Sequence, residues 1–174
     1  MNKRLLTLWH LLVMTLVMPL FGVVGWTNRG KWKALDWLFR NTTEVTNFYV
    51  ALVTSATAPG PTTNLMSDLT QIAAGNGYTD GGYQLTPGAT DFDYINEDDT
   101  NHLGKIQIKD VVWTASGGTI PASGNGARYA VLTDDNATVA NRLVLAYWDL
   151  TSDRSVSSGQ TLTLQDLELR LSDA

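Results

Sequence analysis

Along most of the chain after residue 100, apolar and polar residues alternate with a period of two, as they do in half-buried β-strands. The run Leu143–Leu150 is apolar on both faces, which is typical of a strand in the middle of a sheet. Because only a short polar connection precedes this run, we expect it to form an antiparallel hairpin with the strand before it. In all, the pattern predicts five main strands: Asn47–Ser55, Ile106–Trp113, Ala127–Leu132, Leu143–Leu150 and Thr161–Leu171.

The alternation changes phase at two places. In His102–Trp113 the apolar positions move from even to odd numbers across residues 109–110, which indicates a β-bulge. In Thr161–Leu171 the same shift occurs across residues 165–166, where we expect a bulge or a change of sheet. With almost no helix expected after residue 73, the sequence predicts a mainly β fold: an antiparallel β-sandwich of jelly-roll-like form.

Helical spacing of apolar residues occurs near the N-terminus. It predicts a short amphipathic helix over Arg29–Arg40, preceded by Thr27 and Asn28, which are good N-cap residues. A second short helix is expected over Leu65–Ala73. The turn Gly75-Asn76-Gly77 would end this second helix in a left-handed conformation.

Aromatic residues extend around the Arg29–Arg40 helix further than one packing surface usually covers. Trp32 and Phe39 share the side that carries Leu35, whereas Trp37 is turned away from it by about 160 to 200° at roughly 100° per residue. We therefore expect the first side to pack on the domain itself and the Trp37 side to pack on a neighbouring subunit or another partner protein. Trp32, Trp37 and Phe39 are the predicted interface residues. The alternative is that all three pack on their own sheet.

The first 26 residues form a separate hydrophobic leader. Lys3 and Arg4 precede an uncharged run of 22 residues, Leu5–Trp26. The run is long enough to span a membrane, and its small residues also fit a secretory signal cut after Gly25. A hydrophobic helix buried against partner subunits and a start codon placed too far upstream are two further interpretations. The sequence thus divides into a leader, 1–26, and a single domain, 27–174, with membrane association expected only if the leader is retained as an anchor.

Composition restricts the function classes. The 174 residues are 44% hydrophobic and 17% charged, which is typical of a folded domain. A net charge of −5 argues against binding to the nucleic-acid backbone. The absence of cysteine excludes disulfides and thiolate metal sites. His102 is the only histidine after the leader, so a serine–histidine–carboxylate triad has little support, and we expect neither an enzyme nor a cofactor.

Three sets of side chains are of the types that other functional sites use. The acidic residues of the loop 91–99 resemble a calcium-binding loop, but Ile95 occupies a position that needs an oxygen ligand, so we expect a solvated loop and no metal site. Asp149 and Glu168 are strand-borne carboxylates of the type that glycosidases pair. Such carboxylates are far more often surface residues. Four aromatic residues are expected in the core, although they are also of the type that stacks on sugar rings: Trp113, Tyr129, Tyr147 and Trp148.

Several strand and turn motifs resemble those of small structural proteins of tailed bacteriophages. They occur in the order "FYVAL" strand, "GNGY" turn, "WTASGG" turn, paired strands and "SSGQTLTL" final strand. The segments are Asn47–Ser55, Gly75–Tyr78, Trp113–Gly118, Ala127–Asp135 and Leu145–Leu150, within a resemblance that covers about Asn28 to Ser172. The leader departs from this pattern.

The resemblance implies a non-enzymatic virion protein, either a head decoration or a tail or fibre component. Its partners would be other virion proteins and further copies of the chain, it would be located in the virion, and no catalytic residue is implied. The alternative from another class is a secreted or membrane-anchored carbohydrate-binding β-sandwich that uses exposed tryptophans.

Overall fold

The computed structural model describes residues 16–18, 24–40, 42 and 44–172. Within this part of the chain the fold is mainly β, with one α-helix, α1 (Asn28–Arg40), and two 3-10 turns (Met66–Asp68 and Val139–Asn141). The strands are β1 (Leu16–Met18), β2 (Val24–Trp26), β3 (Phe48–Val53), β4 (Tyr83–Leu85), β5 (Tyr94–Asp98), β6 (Leu103–Ile108), β7 (Val111–Thr114), β8 (Ala127–Thr133), β9 (Val144–Arg154), β10 (Thr161–Leu164) and β11 (Leu167–Ser172).

The described strands form three sheets. The largest has the order β2-β9-β8-β3-β4, and the two smaller ones have the orders β1-β10-β7 and β11-β6-β5. All pairs are antiparallel except β1, which runs parallel to β10. The predicted hairpin is confirmed as β8 and β9. β9 lies between β2 and β8 with residues 144–148 buried, as its two apolar faces predicted.

A two-stranded ribbon turns a corner where the apolar pattern changes phase. β6 pairs with β11 and β7 pairs with β10, so both strands of the ribbon pass from one sheet to the other. Ile108 lies opposite Leu167 and Val111 opposite Leu164, with two residues between these pairs on each strand. The β-bulge predicted at residues 109–110 is therefore wrong, because neither strand carries an extra residue.

The helix predicted over Leu65–Ala73 is also wrong. Apart from the single 3-10 turn, this segment is extended. It lies along the end of β3 that follows Val50, where β4 no longer pairs with β3. Thr54 donates its N–H to the Thr70 carbonyl at 2.8 Å, and Ile72 donates to the Leu52 carbonyl at 3.1 Å. These hydrogen bonds pair backbone N–H and C=O groups at the edge of β3. A helix at the same place would leave those groups unpaired.

The turn 75–77 adopts the expected left-handed backbone, with φ of 54° at Asn76. It packs against the glycine-rich turn that follows β7. Ser116 donates its N–H to the Asn76 carbonyl at 2.9 Å, and the Asn76 amide donates to the Thr119 carbonyl at 2.9 Å. Two of the motifs that carry the phage resemblance thus bind each other, which gives them a structural role.

One hydrophobic core contains side chains from all three sheets. Trp148 of β9 is fully buried, and its Nε1 donates to the Glu168 carbonyl of β11 at 3.2 Å. A smaller cluster on the opposite face of the largest sheet includes Val131 and Tyr147. Trp113 is also buried and Tyr129 partly so. The aromatic residues that were candidates for sugar stacking are therefore mostly core residues.

Part of the predicted leader belongs to the largest sheet. β2 pairs with β9, and the indole nitrogen of Trp26 donates to the Arg170 carbonyl at 3.0 Å. A signal cut after Gly25 would therefore fall inside β2. Residues 1–15 and 19–23 lie outside the described part of the chain, and the signal, anchor and start-site interpretations depend on them. None of the described helices combines the length and hydropathy needed to cross a bilayer.

Candidate interaction surface around helix α1

Helix α1 is fixed to β9 at its first turn. The Thr27 hydroxyl accepts the N–H of Gly30 at 2.8 Å, as an N-cap side chain does, and donates to the Val144 carbonyl at 2.5 Å. Gly30 is buried against the Leu145 carbonyl, with which any Cβ at this position would clash. The close approach at Gly30 and the cap at Thr27 set the direction in which the helix leaves the sheet.

The inner side of α1 carries Gly30, Ala34 and Trp37. The Trp37 ring meets the ring of Phe48 edge to face, with centroids 6.0 Å apart, and Lys33 Nζ lies 5.2 Å from the centroid of the Trp37 ring. Trp37 is thus partly buried by its own domain. The expectation that Trp37 turns away from the domain is reversed in the structure.

The outer side of α1 is apolar and faces solvent. Its large side chains have exposed fractions of 48% for Trp32, 57% for Leu35, 73% for Leu38 and 75% for Phe39. We call these four residues the outer stripe. Trp32, Leu35 and Phe39 were expected to pack on the domain itself, and they do not, because Gly30 brings the opposite side of the helix against β9.

An apolar cleft of about 440 Å³ lies between the inner side of α1 and the sheet β11-β6-β5. Three residues of that sheet form a row across it, because Ile95 is paired with Ile106 and Ile106 with Leu169. Ala34 and Trp37 line the opposite wall. Ile95 is 79% exposed. We call this feature the α1 cleft.

Charge is distributed unequally around these two surfaces. α1 contains four basic residues and one acidic residue: Arg29, Lys31, Lys33, Arg40 and Asp36. Asp36 is buried and accepts the Thr42 hydroxyl at 2.8 Å. The segment 91–99, which borders the α1 cleft through Phe92 and Ile95, contains five acidic residues and no basic one: Asp91, Asp93, Glu97, Asp98 and Asp99.

The acidic residues of this segment do not converge. Asp91 binds Lys109 Nζ at 2.6 Å and accepts the N–H of Thr86 at 2.7 Å. These bonds, the lysine first, lower the pKa of Asp91. Asp98 accepts bonds from the side chain and backbone of Asn101, which lower its pKa. In the described ranges no group of three or more carboxylate or histidine side chains is placed to hold a metal ion.

The other candidate catalytic side chains have structural partners. Asp149 receives two bonds from the Arg128 guanidinium, each of 2.9 Å. Glu168 lies 3.6 Å from Lys105 Nζ and also binds Arg170. His102 occupies a tight turn with φ of 51°. None of Asp149, Glu168 and His102 lines the α1 cleft.

The α1 cleft was missed by sequence reasoning, since its walls come from segments far apart in the chain. The strand β5 was also missed, because Ile95 is the only aliphatic residue in it and the rest of the segment is typical of an acidic loop. Comparisons with known proteins add no family: no family model, no curated protein and no solved structure matches this chain.

Proposed function

We propose that this protein is a non-enzymatic structural protein of a tailed-phage virion, a head decoration or a tail or fibre component, that acts by assembling with other proteins. The observation that carries the proposal is the outer stripe. Four large apolar side chains lie together on one side of α1, and the described part of the chain leaves them exposed. Soluble monomers rarely leave such a contiguous apolar patch exposed unless it is an interaction site.

The way in which α1 is held supports this role. The Thr27 cap and the contact of Gly30 with the Leu145 carbonyl fix the first turn, and the edge-to-face contact of Trp37 with Phe48 fixes the last. A helix held at both ends presents the outer stripe in one orientation. Less conformational entropy is then lost when a partner binds.

The same proposal includes the finer architecture, an antiparallel β-sandwich of jelly-roll-like form. Its support is that the three sheets share one core and that the ribbon β6–β7 with β10–β11 bends over that core. Such a sandwich closes its core without ligands and leaves its surface for contacts with neighbours.

The non-enzymatic part of the proposal is supported by how the candidate acids are used. Asp149 and Glu168 are held by arginine and lysine side chains, and neither lines the α1 cleft. The cleft has an apolar lining, and general acid–base chemistry requires a positioned titratable group.

Electron microscopy of phage particles tests the proposal. The chain carries a label, and particles whose genome encodes it are imaged. We expect the label at regular positions on the head, tail or fibre. Two results together would contradict a virion role: normally assembled particles that carry no label, and normal infection by particles made without the gene.

A carbohydrate-binding module is the second candidate function, and one observation favours it. Trp32 is exposed and lies beside Asn28, Arg29 and Asn64 in a shallow hollow of about 220 Å³. An exposed aromatic ring beside amide side chains can stack on a sugar and bind its hydroxyls. Retention of the chain on a polysaccharide column, lost in Trp32→Ala, would support this function; equal elution of both would oppose it.

A further inference from the structure

We propose that the outer stripe of one copy of this chain inserts into the α1 cleft of the next copy, so that copies join head to tail. This inference rests on the proposed assembly function and names its partner, which is a second copy of the chain. It also predicts the symmetry of the contact, because two different surfaces meet.

The chain offers both halves of an apolar contact. The α1 cleft is a concave surface of about 440 Å³, which lies within the volume range of pockets that enclose ligands. The outer stripe projects from the molecule, with Phe39 75% and Leu38 73% exposed. Inserting these side chains into the cleft would remove apolar surface from water on both partners, including that of Ile95.

The charges around the outer stripe and the α1 cleft are complementary. The outer stripe is flanked by exposed Lys31 and Arg40, and the α1 cleft is bordered by the acidic segment 91–99. Within the described residues, Asp93, Glu97 and Asp99 have no ion-pair partner, and neither does Lys31. Opposite charges around an apolar contact favour the correct partner and speed the encounter.

One copy cannot place its own outer stripe in its own α1 cleft. α1 presents Ala34 and Trp37 to its own cleft, whereas the outer stripe points away from that cleft. Within one copy the stripe and the cleft cannot meet, so a contact between them requires a second copy. A contact between two different surfaces is heterologous, so it produces a ring if the rotation closes and a filament if it does not.

Mixing two variants of the whole chain tests this geometry by sedimentation velocity. The stripe variant, Leu35→Asn/Phe39→Asn, keeps an intact cleft; the cleft variant, Ile95→Asn, keeps an intact stripe. All three positions are exposed, so both variants should fold as the wild type does, which circular dichroism checks. Val112→Asn, an exposed apolar position of β7 in another sheet, is the matched control.

We expect the wild type and Val112→Asn to form species larger than a monomer, less so as the salt concentration rises. Each of the two test variants alone should be monomeric. Their mixture should give a 1:1 dimer that grows no further, because the second stripe and the second cleft are both disabled. A helix-to-helix contact with two-fold symmetry would instead make the cleft variant dimeric by itself, and mixing would add no 1:1 complex with the stripe variant; that result would overturn the head-to-tail contact.

The other outcomes are also decisive. A wild type that stays monomeric at every concentration would overturn this inference. If that monomer is still found on phage particles, the proposed function stands and only the identity of the partner is wrong. If the chain associates neither with itself nor with particles, both fail.

Discussion

Trp148 shows how a single residue connects separate parts of the fold. It is fully buried in β9, and its indole nitrogen reaches the backbone of β11. We expect Trp148→Ala to lower the free energy of unfolding by about 3–5 kcal/mol, the usual range for truncating a buried aromatic side chain. Urea denaturation measures this loss. Trp32→Ala, at an exposed position, is the control, and equal effects of the two substitutions would contradict the assigned burial.

Asp91 gives the molecule a defined response to acid. Hydrogen bonds from Lys109 and from the Thr86 N–H lower the pKa of Asp91 in the folded state. A carboxyl whose pKa is lower when folded stabilises the protein above its unfolded pKa of about 4 and loses that contribution as the pH falls through the folded-state value. We therefore expect the wild type to exceed Asp91→Asn in unfolding free energy at pH 7.

The difference between wild type and Asp91→Asn should shrink progressively below about pH 4. Urea titrations at several pH values measure it. Asp99→Asn is the control, because no hydrogen bond or ion pair within the described residues involves its side chain. A difference between wild type and Asp91→Asn that stays constant down to pH 2 would show that the ion pair with Lys109 is not its source.

At the scale of elements, the docking of two turns can be tested with a pair of glycines. Gly77 and Gly117 both have positive φ, at 107° and 78°. A Cβ on Gly77 would clash with the Thr114 carbonyl, whereas a Cβ on Gly117 would meet open space. Gly117→Ala should lower the unfolding free energy by about 1–2 kcal/mol through backbone strain alone.

Gly77→Ala should have that effect and about 1–3 kcal/mol more, because the neighbouring strand must also move. Urea denaturation of the two variants measures the difference. Equal losses would mean that the turn 75–77 does not pack on the end of β7.

The orientation of helix α1 differs from the one that its sequence predicted, since Trp37 faces its own domain. Because Trp37 packs edge to face on Phe48, we expect Trp37→Ala to lower the unfolding free energy by about 1–3 kcal/mol, less than for a fully buried aromatic residue. Phe39→Ala, on the outer stripe, should change it by less than about 0.5 kcal/mol. Thermal melting of both variants checks the order. A larger loss for Phe39→Ala would restore the orientation that helical spacing alone predicted.

These elements show how far the sequence could predict the structure. Period-two alternation located β3, β8, β9 and the long ribbon, because burying one face of a strand leaves that pattern in the sequence. The same pattern could not separate a bulge from a corner, since both shift the phase by one residue and only the partner strand distinguishes them. In the segment 65–73, by contrast, the apolar residues have helical spacing, but the backbone is mainly extended and several of these residues are buried in that conformation.

On the scale of the whole molecule, the candidate surface depends on contacts that no local pattern records. The amphipathic spacing of Arg29–Arg40 predicted a helix with an apolar side, and normally that side faces the core. Here Gly30 allows the opposite side to approach β9, so the apolar side remains outside. The α1 cleft likewise forms only when β5, β6 and β11 come to lie beside α1.

The proposed attachment of this chain to a virion through the outer stripe is measured by co-sedimentation with assembled particles. Labelled wild type, the stripe variant Leu35→Asn/Phe39→Asn and the control Val112→Asn are each supplied during assembly, and the label per particle is counted. We expect equal incorporation of the wild type and Val112→Asn. Incorporation of the stripe variant should be at least tenfold lower, which corresponds to a loss of about 1.4 kcal/mol of binding free energy. Incorporation of the stripe variant at the wild-type level would show that the outer stripe does not attach the chain to the particle.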